Sequence, residues 1–453
     1  MTKNLLPDQN PSLRRWLLLL LYSAIVLAPP VLATALGAVG HPDDSFARVA
    51  TNLALTGFAM VCMQFVISAR FRWIERPFGL DALLRFHRKC GVWAGVFLLA
   101  HPLLLVAGES GIDLLYSLDA SWFIWFGRIA ILVLIAQIVA SVFRAALGLE
   151  FETWRRLHNL SAWSILILGF AHSWTVGSAF EATPLRIYWV VLGTLAVGAA
   201  IRHKLWRPAK LRRHSYRVAA VERETHEVCS VTLEPDEGGL VPEFHPGQFH
   251  FLSPSETTDE VPLEDHPFTI SSCPTERRQI ISSIKNSGDF TNRIPQMEAG
   301  DRVAVHGPFG RFSYVFHPKE TRLLFIAGGI GITPLMSMLR HMRNSDRSDL
   351  TVTLLYANKT ADNIVFKEEL DEIAAAGIPA LKVIHVLSDP SADWDGETGH
   401  IEKELVSKHF KLGESPLCGA YLCAPPKMMT DLSGKLREMG LPQSRIHLEA
   451  FAL

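Results

Sequence analysis

Long apolar runs dominate the first 205 positions of this 453-residue chain, and they constrain its fold more than any other feature. A helix needs about 20 apolar residues to cross the hydrocarbon core of a bilayer. Six runs are long enough, at roughly residues 16–37, 47–69, 87–106, 122–147, 158–176 and 185–202. They predict a six-helix transmembrane bundle with the lipid bilayer as its surroundings. Beyond residue 205, charged residues and turn formers take over, which indicates domains outside the bilayer.

Basic residues alternate between the connections of these runs. Arginines and lysines precede the first run, separate the second from the third and the fourth from the fifth, and follow the sixth. Residues 38–47, 107–121 and 177–184 contain neither. The positive-inside rule therefore predicts a cytoplasmic N-terminus and a cytoplasmic second half. The short outer connections without N-x-S/T sites favour a bacterial plasma (inner) membrane. The first run, residues 1–37 with its basic start, also fits a cleaved signal peptide.

Four histidines lie within the runs, in two pairs of equal spacing. His87 and His101 are 14 positions apart, and so are His158 and His172. At 100° per residue, 14 steps end about 40° short of four turns and rise roughly 21 Å. The third and the fifth helix therefore each have two imidazoles on one face, near opposite sides of the membrane. Because both helices run outward, His87 is expected level with His158, and His101 level with His172.

Paired imidazoles at two depths restrict the ligand they serve. A single histidine in a membrane helix can simply bond to a neighbouring helix, but ionisable groups at this depth are costly and point to function. Zinc wants about three or four protein ligands, and each level has two, with Cys90 as a possible third at one level only. Haem supplies four ligands and needs two more. The pattern predicts two b-type haems, with small residues such as Gly91 and Gly169 leaving room for them.

The histidine pattern resembles the ferric reductase and NADPH oxidase superfamily, and the resemblance extends over the whole chain. It implies a ferric reductase-like transmembrane domain with two haems (1–210), an FAD-binding antiparallel β-barrel (211–317) and an NAD(P)H-binding, doubly wound α/β domain (318–453). The family places an arginine near the outer haem, and Arg48 holds that position. The alternative is an interfacial side chain that extends to water, and Arg128 has the same two interpretations.

Short strands separated by turns in residues 213–317 predict a small antiparallel barrel. PGQFHFL (246–252) followed by HPFTISS (266–272) resembles the flavin-binding part of ferredoxin-NADP reductase-like domains. IKNSGDFTNRI (284–294) adds a helix start whose N–H groups suit an anion, and the family binds the FAD pyrophosphate there. The resemblance implies FAD contacts at His266, Pro267, Phe268, Thr269, Lys285, Gly288, Phe290 and Thr291.

Strands and helices alternate from residue 322, which predicts a five-stranded parallel sheet. GGIGITP (328–334) follows the first strand and resembles the reductase-family turn for a pyrophosphate. Thr333 and Pro334 are expected as N-cap and first helical residue. The residues that the turn contributes to NAD(P)H binding are Gly328, Gly329, Gly331, Thr333 and Pro334.

Two stretches near the C-terminus resemble the family's nicotinamide site. CAPPKMM (423–429) is similar to its CGPPxM loop, with Ala424 in place of glycine, and implies that Cys423 lies beside the nicotinamide. Glu449 and Phe451 fall where the family has an acidic residue near the nicotinamide and an aromatic ring over the flavin; the alternative is an ordinary core strand. The stretch after the second strand lacks an acidic residue for a ribose hydroxyl and offers Lys359 for a 2′-phosphate. Its likeness to NADH-using members favours NADH over NADPH.

These expectations combine into a transmembrane electron carrier. The resemblance implies that cytoplasmic NAD(P)H reduces FAD, and that electrons then pass by the inner and outer haems to an acceptor outside, with oxygen favoured and superoxide as its product. A ferric-chelate reductase is the enzymatic alternative, and a haem-based redox sensor or scaffold the alternative of another class. A net charge of −1 gives no sign of a nucleic-acid partner, and no obligatory protein partner is evident. The six cysteines contain no C-x-x-C pair, which argues against zinc fingers and iron–sulfur clusters.

Overall fold

The chain divides into two compact units, the first of residues 8–207 and the second containing residues 208–453. The computed structural model describes residues 11–38, 44–108, 111–176, 178–207, 209, 216–236, 238–254, 266–288, 290–412 and 417–450. The first unit is helical and the second contains two sheets. The predicted boundary at residues 317 and 318 stays a prediction, although the two sheets do fall on either side of it.

The first unit contains six long helices and two short ones among its described residues. These helices are α1 (Pro11–Ala35), α2 (Ser45–Ser68), α3 (Arg72–Phe78), α4 (Leu80–Ala107), α5 (Asp113–Tyr116), α6 (Trp122–Val142), α7 (Phe151–Val176) and α8 (Thr183–Ile201). Helices α1, α2, α4, α6 and α8 are long and apolar enough to cross a membrane. Helix α7 has 26 residues, but its serines, Asn159 and two histidines dilute the apolar ones. Five predicted spans thus correspond to such helices, and the sixth stays a prediction.

Helix α2 lies at the centre of the first unit, where its Phe58 side chain packs against α7 and α8. Phe58 is 5 % exposed and stacks on Trp189 of α8 with ring centroids 5.5 Å apart. A Cβ on Gly169 of α7 would lie 2.4 Å from the Phe58 ring. The glycine at this position therefore makes room for a protein side chain, which corrects the expectation that it leaves space for a flat cofactor.

The first sheet of the second unit is antiparallel. Its strands are β1 (Tyr216–Arg223), β2 (Val228–Pro235), β3 (Phe249–Pro254), β4 (His266–Thr269), β5 (Ile280–Lys285) and β6 (Arg302–Phe309), in the order β4-β3-β6-β1-β2-β5. The two edge strands approach each other, since the backbone N–H of Ser271, just after β4, donates to Ile281 O in β5 at 2.8 Å. A closed barrel needs hydrogen bonds between the first and last strands of this order, and this contact is one of them.

The second sheet is parallel and continues the same unit. Its strands β7 (Arg322–Gly328), β8 (Thr351–Asn358), β9 (Ala380–Leu387), β10 (Glu397–Thr398), β11 (Cys418–Cys423) and β12 (Ile446–Glu449) lie in the order β10-β9-β8-β7-β11-β12. The helices between them are α9 (Ile332–Asn344), α10 (Lys367–Ala376), α11 (Lys403–His409) and α12 (Pro426–Glu438). Five strands agree with the predicted doubly wound order, in which ligands bind at the carboxyl ends of the strands. The two-residue strand β10 was not predicted.

Candidate functional site

His87 and His158, the pair predicted to lie on the inner side and called the inner pair below, face each other across the gap between α4 and α7. The two ring centroids are 6.1 Å apart. A metal bound by one nitrogen of each ring, with bonds of about 2 Å, separates two such centroids by roughly 6 Å. The gap between the inner rings therefore has the width that an axially bound iron requires.

Both inner rings are held from behind by a glutamine amide. The side-chain amide nitrogen of Gln64 in α2 donates to His87 Nδ1 at 2.6 Å. The amide nitrogen of Gln137 in α6 donates to His158 Nδ1, and the Ser161 hydroxyl donates to the Gln137 oxygen. Metal-binding histidines donate from the ring nitrogen that does not bind the metal, so a metal on Nε2 of these rings would require each glutamine to turn its oxygen toward Nδ1. Sequence reasoning missed both glutamines, although a polar amide within an apolar run was the available signal.

The outer pair, His101 and His172, is held by backbone carbonyls instead. His101 Nδ1 donates to Ala50 O at 3.0 Å, and His172 Nδ1 donates to Phe123 O at 2.8 Å. A carbonyl oxygen can only accept, so each ring carries its proton on Nδ1 and keeps the Nε2 lone pair. Both outer histidines therefore have the tautomer that a metal ligand needs.

Glycines next to the rings differ in what they leave open. A Cβ on Gly91, one turn after His87, would meet no atom within 4 Å, so space is available on this face. A Cβ on Gly127 of α6 would lie 2.7–3.0 Å from the His172 ring. Gly127 thus allows the close approach of α6 that positions His172.

The two intramembrane arginines have different surroundings. Arg128 donates to the carbonyl oxygens of Asp113, Leu114 and Ser117, at distances of 2.6–3.3 Å. It therefore ties α6 to the segment around α5. Arg48 is exposed in the first turn of α2, two positions before Ala50, whose carbonyl binds His101.

Aromatic rings cluster at the predicted flavin site. His266 stacks on Phe290 with ring centroids 4.2 Å apart, and Phe268 stacks on the same ring at 5.8 Å. Pro267 pairs with Phe251 in the sheet, and Thr269 is 4 % exposed. The structure thus brings the HPFT strand and the segment around Phe290 together, and their contacts with FAD stay a prediction.

The predicted pyrophosphate turn is internally bonded. Thr291 begins a 3₁₀-helix that extends to Gln296. Its hydroxyl accepts from the N–H groups of Ser287 and Gly288, at 2.8 and 2.9 Å. Lys285 forms an ion pair with Glu227 at 2.8 Å, and this ammonium group lowers the pKa of the Glu227 carboxyl. A pyrophosphate here would compete with both sets of contacts.

The glycine turn and the CAPP loop lie in direct contact. A Cβ on Gly331 would lie 1.9 Å from Cys423 O, and a Cβ on Gly328 would lie 2.8 Å from Pro425 Cδ. Gly329 has a φ of +54°, which favours glycine. These three positions therefore require glycine for space or backbone conformation.

The helix after the glycine turn begins earlier than predicted. A 3₁₀ turn, Gly329–Gly331, leads directly into α9, which begins at Ile332 with Gly331 as its N-cap. Thr333 is not the N-cap, because its hydroxyl donates to Ile330 O within the first turn. Pro334 is the third helical residue instead of the first. Proline is tolerated there because the first-turn N–H groups lack intrahelical partners.

Cys423 and Glu449 are register partners at the carboxyl ends of β11 and β12. Burial, followed by the nearby Glu449 carboxylate, raises the pKa of the Cys423 thiol well above its usual value. The thiol is therefore neutral, which agrees with a role by position. Phe451 lies outside the described residues.

The end of β8 supplies one polar residue that the sequence reasoning passed over. Lys359 follows β8 and is exposed. Asn358, the last residue of β8, is 7 % exposed, and its side-chain amide lies beside the Tyr356 hydroxyl. A buried amide at the carboxyl end of a parallel strand has further hydrogen-bonding capacity to offer a ligand.

Three family matches follow one another along the chain. Residues 53–169 match "Ferric reductase like transmembrane component", residues 214–313 match "FAD-binding domain", and residues 325–434 match "Oxidoreductase NAD-binding domain". The chain therefore contains a ferric reductase-like transmembrane component followed by an FAD-binding and an NAD-binding domain of the oxidoreductase type. Its sequence of domains is the ferric reductase and NADPH oxidase architecture.

Curated relatives match part of the chain. NADH–cytochrome b5 reductase 1 of Arabidopsis thaliana is 32% identical over 165 residues, which are 36% of this chain and 58% of the relative. The Dictyostelium discoideum NADH-cytochrome b5 reductase 1 is 29% identical over 182 residues, covering 40% of this chain and 63% of the relative. The matches thus span about three-fifths of these relatives' length.

Two solved structures align with the chain to different extents. A flavohemoglobin from Malassezia yamatoensis, with bound FAD and heme, aligns over 94% of this chain and 98% of its own, with TM-score 0.50 and 17% identity. The cytochrome b5 reductase domain of Ulva prolifera nitrate reductase aligns over 52% of this chain and 97% of its own, with TM-score 0.47 and 21% identity.

Proposed function

We propose that this protein carries electrons from cytoplasmic NADH, through FAD and two haems, to an acceptor on the outer side of the membrane, with oxygen as the favoured acceptor and superoxide as its product. The observation that carries this proposal is the paired arrangement of His87 with His158 and of His101 with His172. The outer pair keeps two Nε2 lone pairs available, and the inner pair has rings 6.1 Å apart. These donor sets fit two axial iron sites.

The bound groups supply the electron chemistry, since FAD accepts a hydride and releases single electrons, and haem iron takes one electron at a time. The chain supplies positions. Each axial histidine is oriented by the partner of its Nδ1, and no further protein ligand is needed at either level. Because each iron would be held by its haem and two histidines, the acceptor would react without binding the metal.

The aromatic cluster and the glycine turn have separate roles in this proposal. His266, Pro267, Phe268 and Thr269 would line the flavin, while Gly288, Phe290 and Thr291 would face its pyrophosphate. The N–H groups of Ser287 and Gly288 donate to the Thr291 hydroxyl in this structure. They would donate to the pyrophosphate instead, and Lys285 would contribute a positive charge nearby.

The nucleotide would bind at the carboxyl ends of the parallel strands. Gly328, Gly329 and Gly331 let its pyrophosphate approach the backbone, with Thr333 and Pro334 in the helix start beyond. The neutral thiol of Cys423 would lie beside the nicotinamide with Glu449, and Phe451 remains a proposed flavin contact.

NADH is the proposed nucleotide. Asn358 offers an uncharged amide at the end of β8, where it can bond to a ribose hydroxyl without repelling or attracting a phosphate. The two curated relatives are named NADH–cytochrome b5 reductases, so their names give NADH as the nucleotide. Lys359 is exposed and remains the one proposed contact for a 2′-phosphate. A Lys359→Ala variant with unchanged NADH and NADPH kinetics would support the preference for NADH.

Anaerobic reduction tests the whole proposal. Purified protein loaded with FAD and haem is reduced by NADH under argon, and then mixed with oxygen or with a ferric chelate while haem reoxidation is recorded. The proposal expects haem reduction by NADH and faster reoxidation by oxygen, with superoxide detected. Faster reoxidation by the chelate would favour a ferric-chelate reductase.

A redox sensor or scaffold predicts a different outcome. Such a protein would bind haem and show no steady NADH oxidation that depends on an external acceptor. The plasma (inner) membrane and the cytoplasmic side of the second unit follow from the basic connections of the sequence and belong to the proposal. Labelling of an engineered cysteine in residues 107–121 from outside the cell checks this orientation.

A further inference from the structure

Two histidines and a glutamate meet at the edge of the parallel sheet, away from the carboxyl ends of its strands. His317 follows the last turn before β7, Glu320 lies two residues before β7, and His447 is the second residue of β12. One ligand atom from each of these side chains lies within 4.8 Å of the others. We propose that His317, Glu320 and His447 form a binding site for one divalent transition-metal ion of the zinc type.

The sheet leaves space for the carboxylate of this cluster. Glu320 is 8 % exposed, and a Cβ on Gly419 in β11 would lie 2.0 Å from its Oε2. Any larger residue at position 419 would displace the carboxylate. A buried carboxylate is costly unless positive or hydrogen-bonding groups surround it, so this cavity is fitted to an anionic group.

Two donors orient the carboxylate. The Tyr421 hydroxyl donates to Glu320 Oε2 at 2.7 Å, and His447 Nε2 lies 3.0 and 3.1 Å from the two oxygens. Tyr421 and His447 are register partners in β11 and β12, so both side chains emerge on one face. A metal-binding carboxylate is commonly held by such a hydrogen bond from an outer group.

The second imidazole distinguishes this cluster from a simple ion pair. The His317 ring lies on the His447 ring with centroids 3.9 Å apart, and it makes no side-chain hydrogen bond with any residue that the structure describes. Two rings this close cannot both be positively charged imidazolium ions without strong repulsion. A cation bound to both nitrogens removes that repulsion and gives His317 a partner.

The donor set selects the metal. Two imidazole nitrogens and one carboxylate oxygen match the three-protein-ligand sites of zinc, in which the fourth position holds water. Hard cations such as calcium and magnesium prefer oxygen ligands only. Binding would displace the proton that His447 shares with Glu320, because a ligating imidazole must be neutral.

The site would affect the neighbouring pocket. Tyr421 and His447 precede Cys423 and Glu449 by two residues on the same strands, which is roughly 7 Å along a strand. A bound cation would therefore add positive charge close to the proposed nicotinamide position. This consequence rests on the proposed function, whereas the metal site itself does not.

Cobalt(II) is the probe, because its d–d absorption reports ligand number and geometry where zinc is silent. Full-length protein loaded with haem and FAD, and purified without a histidine tag, is titrated with cobalt chloride and compared with His317→Ala, His447→Ala and Glu320→Gln. His400→Ala, an exposed histidine of the same unit, is the matched control. Bound FAD per chain confirms that each variant is folded.

The proposal expects about one cobalt per chain, with four- or five-coordinate absorption that zinc abolishes. This signal should be lost in the three site variants and kept in His400→Ala. Absence of the absorption in FAD-loaded wild-type protein, or equal absorption in Glu320→Gln, would overturn the proposal. Glu320→Gln keeps the size of the side chain, so it remains decisive if either alanine variant fails to fold.

Discussion

The inner and outer histidine pairs are alike at their rings and different behind them. His87 and His158 rest against the side-chain amides of Gln64 and Gln137, whereas His101 and His172 donate to main-chain carbonyl oxygens. A carbonyl fixes the tautomer of its histidine and cannot be removed by substitution. A glutamine amide has an oxygen and a nitrogen, and it can be replaced.

This difference indicates how two sites with the same ligands acquire different properties. An acceptor behind a ligating imidazole increases electron donation from that ring to the metal, which stabilises the oxidised state. The outer pair has this partner built into the helices. The inner pair meets side-chain amides that present their nitrogens in this structure and can turn to present their oxygens, so substitution can tune the inner site alone.

The largest expected effect shows which of the two haem sites receives electrons from NADH first. His101→Ala and His158→Ala should each lower haem content by about half, because each removes one of two axial ligands at its level. Dithionite should reduce the remaining haem in both variants. NADH should reduce it rapidly only in His101→Ala, since the inner level is kept there. Spectra after each reductant check this.

Unchanged haem content in either variant would remove that histidine from the proposed ligand set. Equal reduction by NADH in both variants would contradict the inner and outer order. Trp93→Ala is the matched control, because that side chain is 57 % exposed on α4, the helix that also contains His87 and His101.

A second substitution should affect the outer site alone. Gly127→Ala places a Cβ 2.7–3.0 Å from the His172 ring, so the ring must move away from Phe123 O. Loss or broadening of the outer haem signal in low-temperature spectra is expected, with the inner signal kept. Gly198→Ala in α8 meets no atom within 4 Å and should leave both signals intact. An unaltered outer signal in Gly127→Ala would show that α6 does not position His172.

Substitution of Gln137 should move the inner potential in two directions. For His158 to hold iron through Nε2, its Nδ1 must carry the proton and the Gln137 amide must turn its oxygen toward that ring. Gln137→Leu removes this acceptor and should raise the midpoint potential of the inner haem. Gln137→Glu provides a stronger acceptor and should lower it. Redox titration followed by absorbance measures both, and substitutions behind metal-binding histidines commonly alter metal affinity or activity by about 10–100-fold. Shifts of the same sign, or a shift confined to the outer haem, would contradict the assignment.

The sequence could predict the histidine pairs because helix periodicity alone brings residues 14 positions apart onto one face. It also predicted a parallel doubly wound sheet, since strand and helix alternate in that stretch. The family resemblance of two separate loops assigned Cys423 and Gly331 to one site, and the structure places them in contact. The first two predictions rest on local periodicity and the third on that resemblance.

The partners behind the histidines could not be predicted in the same way. Every residue has a carbonyl, so nothing in the sequence marks Ala50 as the acceptor for His101, 51 positions away. The same holds for Phe123 and His172, which are 49 positions apart. Which face of α2 meets α4 decides whether Gln64 reaches His87. The rotation of α2 about its own axis also decides that Phe58 lies over Gly169. The apolar pattern of α2 does not fix this rotation, because apolar residues lie on all sides of the helix.

The smallest expected effect concerns Arg48, the arginine predicted near the outer haem. Its side chain is exposed two positions before Ala50, so its charge is largely screened by water and salt. Arg48→Gln should lower the outer midpoint potential slightly at low ionic strength, because a nearby positive charge favours the reduced iron. The shift should vanish at high salt, and the inner potential should not change. A large, salt-independent shift would mean that Arg48 contacts the outer haem directly, and the two sites would then differ in bound charge as well as in the partners of their histidines.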